Sequence, residues 1–89
     1  MIARRVRVTG LVQGVFFRAW ARDEARRLGV AGWIRNASDG SVEAHVEGDE
    51  GAVADLLGRL HNGPPAARVS EIEVENSEPE NFSGFDVRH

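Results

Sequence analysis

The sequence contains no cysteine and no lysine, and all 11 basic residues are arginine. Without cysteine the chain can form no disulfide, no thiolate nucleophile and no cysteine-ligated metal site. Cysteine usage therefore does not indicate whether the protein resides in an oxidising or a reducing compartment. Without lysine it can form neither a Schiff base nor the lysine-dependent phosphate loop of nucleotide-binding proteins. These absences exclude thiol and Schiff-base catalysis.

Long apolar runs and an excess of positive charge are also missing. No apolar stretch approaches the ~18 residues of a membrane span, and the basic start at Arg4, Arg5 and Arg7 leads into no signal-like segment. The formal net charge is -3, whereas a nucleic-acid-binding protein normally carries a positive charge. We therefore expect a cytoplasmic protein with neither a membrane nor a nucleic acid as partner.

The composition is that of a small globular protein. The chain has 89 residues, of which 42% are apolar and 28% are charged. These values suffice for one modest core and argue against disorder. We expect a single domain over residues 1–89, acting as a monomer, with no internal repeat and no linker.

The stretch Gly10-Leu-Val-Gln-Gly-Val-Phe-Phe-Arg18 joins a strand-like run to a helix, yet it lacks the features of an ordinary helix start. No Ser, Thr, Asp or Asn between Val12 and Phe17 can accept the free N–H groups of the first turn. Arg18 places a cation at the positive end of the helix dipole. A bound anion would satisfy both features, so we interpret the free N–H groups, the flexible Gly14 and the guanidinium as a phosphate cradle.

A plain turn is the alternative reading of the same stretch. Glycine is a passable N-cap, and an arginine in a first turn can point into water. Two other phosphate motifs do not fit, because no Gly-Lys-Ser/Thr ending is present and because Gly10 and Gly14 lack the spacing of dinucleotide-binding loops.

Apolar residues alternate in some segments and recur at helical spacing in others, which separates strands from helices. Asp49 is expected to cap the second helix, and Asn62-Gly-Pro-Pro65 is expected to end it. The expected strands are 2–9, 30–35, 41–47, 68–75 and 85–87, and the expected helices are 17–28 and the segment between Asp49 and Asn62.

Most charged residues are expected on solvated faces. The acidic row of the fourth strand suits an edge strand that resists pairing with other chains. Arg22 and Arg26 are expected at the surface, and Asp23 is expected to pair with Arg27. In the third strand, the side chains expected to point outward are Ser41, Glu43, His45 and Glu47, with His45 solvated there.

The element order is β-α-β-β-α-β with a short extra C-terminal strand. It predicts an α+β, ferredoxin-like sandwich in which two helices cover one face of an antiparallel sheet. In this topology the first two strands are parallel and the third lies between them, so their C-terminal ends share one edge. The loop before Arg18 and the amide of Asn36 both leave strands at that edge, and we expect them to lie close together.

The usual catalytic constellations are missing. There is no Gly-x-Ser-x-Gly motif, and none of His45, His61 and His89 has a sequence neighbour that suggests a triad or a metal site. We expect His61 to complement the dipole at the end of its helix. The available tools are backbone N–H groups, Arg18 and Asn36. They can position and polarise a substrate, but they cannot easily supply a nucleophile or a strong base.

Two segments resemble motifs of the acylphosphatase family. Gly10-Leu-Val-Gln-Gly-Val-Phe-Phe-Arg18 looks like the first motif, and Gly32-Trp-Ile-Arg-Asn-Ala-Ser-Asp-Gly-Ser-Val42, followed by Gly48, looks like the second. The chain length and element order also fit, so the resemblance covers essentially the whole chain. Ile34 and His89 depart from the commoner family residues, and neither departure touches the chemistry that the resemblance implies.

The resemblance implies hydrolysis of a carboxyl–phosphate anhydride, the bond of a small-molecule acyl phosphate, to a carboxylate and inorganic phosphate. Arg18 and loop N–H groups would bind the phosphoryl group, and Asn36 would orient the attacking water. No metal, no other cofactor and no phosphoenzyme is implied, and a phosphate oxygen would accept the proton of the water. The implied phosphate-binding loop comprises Gln13, Gly14, Val15, Phe16, Phe17 and Arg18.

The main alternative is a non-catalytic ferredoxin-like module that binds phosphate or another anion, since this fold often binds ligands without catalysis. An RNA-binding version would need aromatic and basic residues on the central strand, where this chain has Glu43, His45 and Glu47. A metal-carrying version would need a Cys-x-x-Cys loop, which is absent. The length of the chain favours the free enzyme over an accessory domain of a larger protein.

Overall fold

Seven regular elements follow the chain in a computed structural model that describes all 89 residues. Their order is the one predicted, with the short extra strand at the end. The strands are β1 (Ile2–Leu11), β2 (Ala31–Asn36), β3 (Val42–Gly48), β4 (Arg68–Ser77) and β5 (Phe85–Arg88), and the helices are α1 (Phe17–Leu28) and α2 (Glu50–Asn62).

The five strands form one sheet in the order β4-β1-β3-β2-β5. β3 is antiparallel to both β1 and β2, so β1 and β2 are parallel to each other, as predicted. β4 lies at an edge, which confirms the prediction from its acidic residues. β5 pairs with β2 in parallel. The sheet is therefore mixed. Because β1, β2 and β5 are parallel, their C-terminal ends lie together along the side of the sheet where these strands end.

The core lies between the two helices and the inward face of the sheet. Each helix contributes an apolar stripe at helical spacing. Full burial of one large apolar side chain in this core stabilises the fold by about 1.5–3 kcal/mol. The buried residues that form it include Phe17, Ala21 and Ala25 of α1, Val53, Leu56 and Leu60 of α2, and Val6, Val8, Ile34, Val42, Ala44, Val46 and Phe85 of the sheet.

Two details at the helix ends differ from the prediction. Asp49 occupies the N-cap position of α2, but its side chain makes no capping hydrogen bond. Val30 was predicted to begin β2, yet its N–H donates to the carbonyl of Ala25 at 2.9 Å. This bond, with Gly29 in the left-handed conformation, closes α1 in the manner of a Schellman motif. Val30 therefore belongs to the helix end.

Some charged side chains also pair differently from the prediction. Arg27 pairs with Glu24 at 3.0 Å, while Asp23 pairs with Arg22 at 3.2 Å. Arg26 donates to the carbonyl of Phe85 at 3.0 Å and so helps to fasten β5 to α1. His61 lies in the last turn of α2 as expected, with its Nδ1 3.1 Å from the Leu57 carbonyl oxygen.

His45 was predicted to be solvated, and this is wrong because it is buried, as is Glu47, which was predicted to point outward. Both side chains project from the outer face of β3 as predicted, but the segment 78–84 crosses that face and covers them. Glu47 accepts hydrogen bonds from the backbone N–H groups of Glu80 and Phe82 at 2.8 and 3.1 Å. His45 Nε2 lies 2.8 Å from the same carboxylate, and the ring lies between those of Trp33 and Phe82.

Burial alone would raise the pKa of Glu47, but the hydrogen bond from Glu80, with those from His45 and Phe82, holds it below the ordinary value of 4.5. The carboxylate therefore stabilises the fold fully above its ordinary pKa. This contribution is lost as the pH falls through the lower pKa of the folded state.

Replacing Glu47 by glutamine is expected to lower the free energy of unfolding by about 1–3 kcal/mol, because the amide NH₂ would face an N–H donor. Urea unfolding over a pH series measures this loss. It should shrink as the pH falls below the ordinary pKa of 4.5. Glu78→Gln, at an exposed position of the same segment, is the control. A loss of unfolding free energy that does not change with pH would contradict the claim that Glu47 stabilises the fold as an ionised carboxylate.

Candidate active site

The first turn of α1 has no internal partner for its N–H groups. Phe16 is the N-cap and makes no side-chain capping hydrogen bond, and no acidic residue lies in the first turn. The first backbone bond of the helix runs from Trp20 N–H to the Phe16 carbonyl at 3.0 Å. The N–H groups of residues 14–16 donate to no backbone carbonyl. The sequence-based prediction of an uncapped start is thus confirmed.

The backbone enters this turn through the left-handed region of conformational space. Gly14 has φ 75°, and Phe16 has φ 63° and ψ 20°. A non-glycine residue in this conformation is uncommon and costs free energy, and such strain is concentrated at functional sites. Successive residues in such turn conformations can direct their N–H groups toward one side, an arrangement that binds anions in many proteins.

Gly10 has a different role from that of Gly14. It lies at a register shift between β1 and β4, with φ 125°. A Cβ atom there would come within 2.2 Å of the Arg68 carbonyl oxygen. Gly10 is therefore required for the close approach of the edge strand, and the cradle itself begins further along the loop.

Arg18 lies beside the uncapped turn and lines a cavity of about 410 Å³ with Gly14, Phe16 and Phe17. Its Nη1 donates to the Arg88 carbonyl at 3.4 Å and lies 3.4 Å from His89 Nδ1. Both contacts are long for hydrogen bonds, so most of the donor capacity of the guanidinium is available to a ligand. The structure thus brings four of the predicted loop residues to one cavity.

Gln13 does not line this cavity, and its side chain has another function. Its Nε2 donates to the carbonyl oxygens of Ala37 and Ser41 at 2.8 and 2.9 Å. These carbonyls belong to the turn between β2 and β3, which begins directly after Asn36. Gln13 therefore fixes the cradle loop to the turn that follows Asn36. Val15, the remaining predicted loop residue, is half-buried and packs against the core.

Asn36 is the last residue of β2 and is exposed. It lies at the predicted edge of the sheet, but it lines a separate concavity with Arg7, Arg35 and Asp39 rather than the cavity beside Arg18. The two hydrogen bonds of Gln13 connect these neighbouring regions. A ligand that contacts both Arg18 and Asn36 must therefore span the two concavities.

The turn after Asn36 is held in shape by Asp39. The hydrogen bond from the Ser41 hydroxyl, followed by that from the Ser41 N–H, lowers the pKa of Asp39 below its ordinary value of 3.8, and the Arg7 guanidinium adds to this effect. Arg7 Nη1 lies 2.9 Å from the Asp39 carboxylate. The turn also closes through the Ala37 N–H and the Ser41 carbonyl at 2.8 Å.

Converting Gln13 to glutamate is expected to lower kcat for the acyl phosphate hydrolysis that the family resemblance implies by about 10-fold or more. A carboxylate cannot donate to two carbonyl oxygens, and a small displacement of positioning groups is costly to a reaction. Gln13→Ala, which removes the bonds without adding charge, should lose less. Steady-state kinetics and urea unfolding of both variants measure this. Wild-type kcat in Gln13→Glu would contradict the connecting role.

The fold and the start of α1 together define a ferredoxin-like α+β protein whose first helix begins without a side-chain cap. The family model described as Acylphosphatase matches residues 4–87, and the chain belongs to the acylphosphatase family. As a member of that family it is an enzyme, and its substrate is a small acyl phosphate. Neither helix is long and apolar enough to cross a membrane.

Individual relatives agree with this membership. The chain is 53% identical over 88 residues to an acylphosphatase of Anaeromyxobacter dehalogenans, with 98% of this chain and 95% of that one covered. The crystal structure of acylphosphatase from Bacillus subtilis superimposes with a TM-score of 0.97 at 37% identity, covering 100% of both chains. Full-length HypF, in a phosphate- and nucleotide-bound form, superimposes with a TM-score of 0.92 at 27% identity, with 99% of this chain but 12% of HypF covered.

Proposed function

We propose that this enzyme hydrolyses the carboxyl–phosphate bond of acyl phosphates without a metal ion and without a phosphoenzyme. The observation that carries the proposal is the start of α1, where residues of the uncapped turn and Arg18 line one cavity. Together they can bind the oxygens of a phosphoryl group through charge-assisted hydrogen bonds. The proposal treats residues 1–89 as one domain, and the family model spans nearly all of them.

The proposed reaction needs little from the protein beyond position and charge. A water molecule oriented by the Asn36 amide attacks phosphorus, the bond from phosphorus to the acyl oxygen breaks, and the carboxylate leaves with the bonding electrons. A phosphate oxygen accepts the proton of the water. Arg18 and the loop N–H groups stabilise the charge on the phosphoryl oxygens, and such positioning and electrostatic effects dominate phosphoryl transfer.

His89 is the cavity-lining side chain that could act as a nucleophile. The proposal gives it no covalent role. His89→Gln should therefore retain activity, and no phosphorylated protein should accumulate during turnover.

Hydrolysis of benzoyl phosphate in the presence of EDTA tests the reaction. The expected result is turnover that is unchanged by the chelator. In water enriched in the heavy oxygen isotope, the label should enter inorganic phosphate and not benzoate. Activity that disappears with EDTA, or label in benzoate, would overturn the proposed mechanism. A folded protein that binds inorganic phosphate without hydrolysing benzoyl phosphate would instead be the non-catalytic anion-binding module.

A further inference from the structure

The cavity beside Arg18 has an apolar wall that the binding of phosphate does not use. Phe16, Ala19 and Val87 contribute accessible apolar surface to it, while Val12 and Phe17 are buried beneath. Its volume of about 410 Å³ exceeds what a phosphoryl group fills and falls within the ~300–1,000 Å³ of typical small-molecule sites. A substrate whose phosphoryl group binds to the loop can therefore extend along this wall.

Phe16 combines two unfavourable features at the mouth of this cavity. Its side chain is 84% exposed, the highest exposure of any large apolar residue in the chain. Its backbone lies in the left-handed region, which phenylalanine rarely adopts. Neither feature contributes to the core, which contains the adjacent Phe17 instead. An exposed aromatic ring held by strained backbone beside a binding site is typical of a ligand contact.

The rest of the wall indicates the chemistry of the group that Phe16 contacts. The accessible side chains next to it, Ala19 and Val87, offer no hydrogen bond. The second cation of the cavity, Arg22, already has its Nε within 3.2 Å of the Asp23 carboxylate. The wall therefore matches a compact apolar group better than a second anion.

We propose that Phe16 is a specificity-determining residue that binds the acyl part of the substrate, together with Ala19 and Val87. The substrate class is then acyl phosphates with aromatic or branched apolar acyl groups. This inference rests on the proposed function, because the phosphoryl group must occupy the loop for the acyl group to reach the wall.

The test compares benzoyl phosphate with acetyl phosphate, which shares the reacting bond but lacks a group long enough to cover the wall. Phe16→Ala is expected to lower kcat/KM for benzoyl phosphate by about 10-fold or more, mainly through KM. The value for acetyl phosphate should fall by a clearly smaller factor, because the acetyl group does not reach the ring. The inhibition constant of inorganic phosphate should change less than kcat/KM for benzoyl phosphate, because the substitution alters a side chain and leaves the loop N–H groups in the chain.

Two further variants separate the ring from the backbone and from general hydrophobicity. Asparagine adopts the left-handed conformation more readily than phenylalanine or alanine, so Phe16→Asn and Phe16→Ala should lose the same preference for benzoyl phosphate if the ring carries it. Leu11→Ala removes another exposed apolar side chain, 53% accessible and outside the cavity, and should behave as wild type.

The possible failures are distinguishable. Equal losses for benzoyl and acetyl phosphate, or no loss for either, would overturn the acyl-binding role of Phe16 and leave the proposed function intact. If the wild type hydrolyses neither benzoyl phosphate nor acetyl phosphate, the proposed function itself is overturned.

Discussion

Replacing Arg18 by alanine is expected to lower kcat/KM for benzoyl phosphate by about 10³-fold or more. The guanidinium is the cation beside the uncapped turn of α1, and its loss leaves the charge on the transferring phosphoryl group without its main counter-charge. Removing one preorganised donor to a developing anion costs about 10²–10³-fold, and arginines that stabilise phosphoryl transfer contribute up to about 10⁵-fold. The same variant should lose inhibition by inorganic phosphate, because ground-state binding uses the same contacts.

Two variants make the Arg18 result specific. Arg18→Lys keeps the charge but not the planar fork of donors, so it should recover part of the lost phosphate binding and little of the rate. Arg27→Ala removes an exposed cation from the other end of the same helix and should keep wild-type kinetics. Circular dichroism checks that each variant is folded. A folded Arg18→Ala variant with wild-type inhibition by phosphate would contradict the cradle.

Replacing Asn36 by alanine is expected to lower kcat by about 10²–10³-fold while inhibition by inorganic phosphate stays near the wild-type value. In the proposed mechanism the Asn36 amide orients water and does not hold the phosphoryl group. Asn36 lies at the end of β2, in a concavity separate from that of Arg18. Asn36→Ala should also fold normally, because the side chain is exposed. Kinetics with benzoyl phosphate and phosphate as inhibitor measure both quantities.

The matched variants for Asn36 are Asn36→Asp and Asn76→Ala. Aspartate keeps the size of the side chain but places a negative charge near the phosphoryl group and removes the N–H donors, so its activity should be no higher than that of the alanine variant. Asn76 is exposed on β4, and its replacement by alanine should have no effect. Parallel loss of turnover and of phosphate inhibition in Asn36→Ala would contradict separate roles for Asn36 and Arg18.

The sequence predicts the fold well because its local signals agree with one another. Alternation marks the strands, helical spacing marks both helices, and Gly29 ends α1 as expected. The partner strand of β5, by contrast, is not predicted by the sequence. Its four residues, Phe85–Arg88, carry too little pattern to specify a partner, and its parallel pairing with β2 depends on contacts that are distant in the sequence.

The burial of His45 and Glu47 shows what alternation cannot predict. A period of two residues assigns each side chain to a face of the sheet, but it does not show what covers that face. The covering segment, 78–84, is mostly polar in sequence, and besides the contact of Phe82 with His45 it is held by hydrogen bonds from its own backbone to Glu47. Such backbone donors are present in every segment, so sequence alone gives no signal for this contact.

In the candidate site, too, the sequence predicts local features and misses contacts between residues distant in the chain. The missing cap at the start of α1 is a local property, and the sequence predicts it correctly. The link from Gln13 to the turn after Asn36 depends on the distance between two loops, and the exposure of Phe16 depends on a backbone angle. Glutamine and phenylalanine are common in loops and cores, so neither residue type indicated its position here.

The most direct test of the phosphate cradle is a titration of the isotope-labelled wild-type protein with inorganic phosphate, followed through its backbone amide resonances. The expected result is a saturable shift concentrated at the amides of Gly14 to Arg18, absent in Arg18→Ala. Shifts concentrated instead around Arg7 and Arg35, or no saturable shift at the start of α1, would contradict the claim that this turn binds the phosphoryl group.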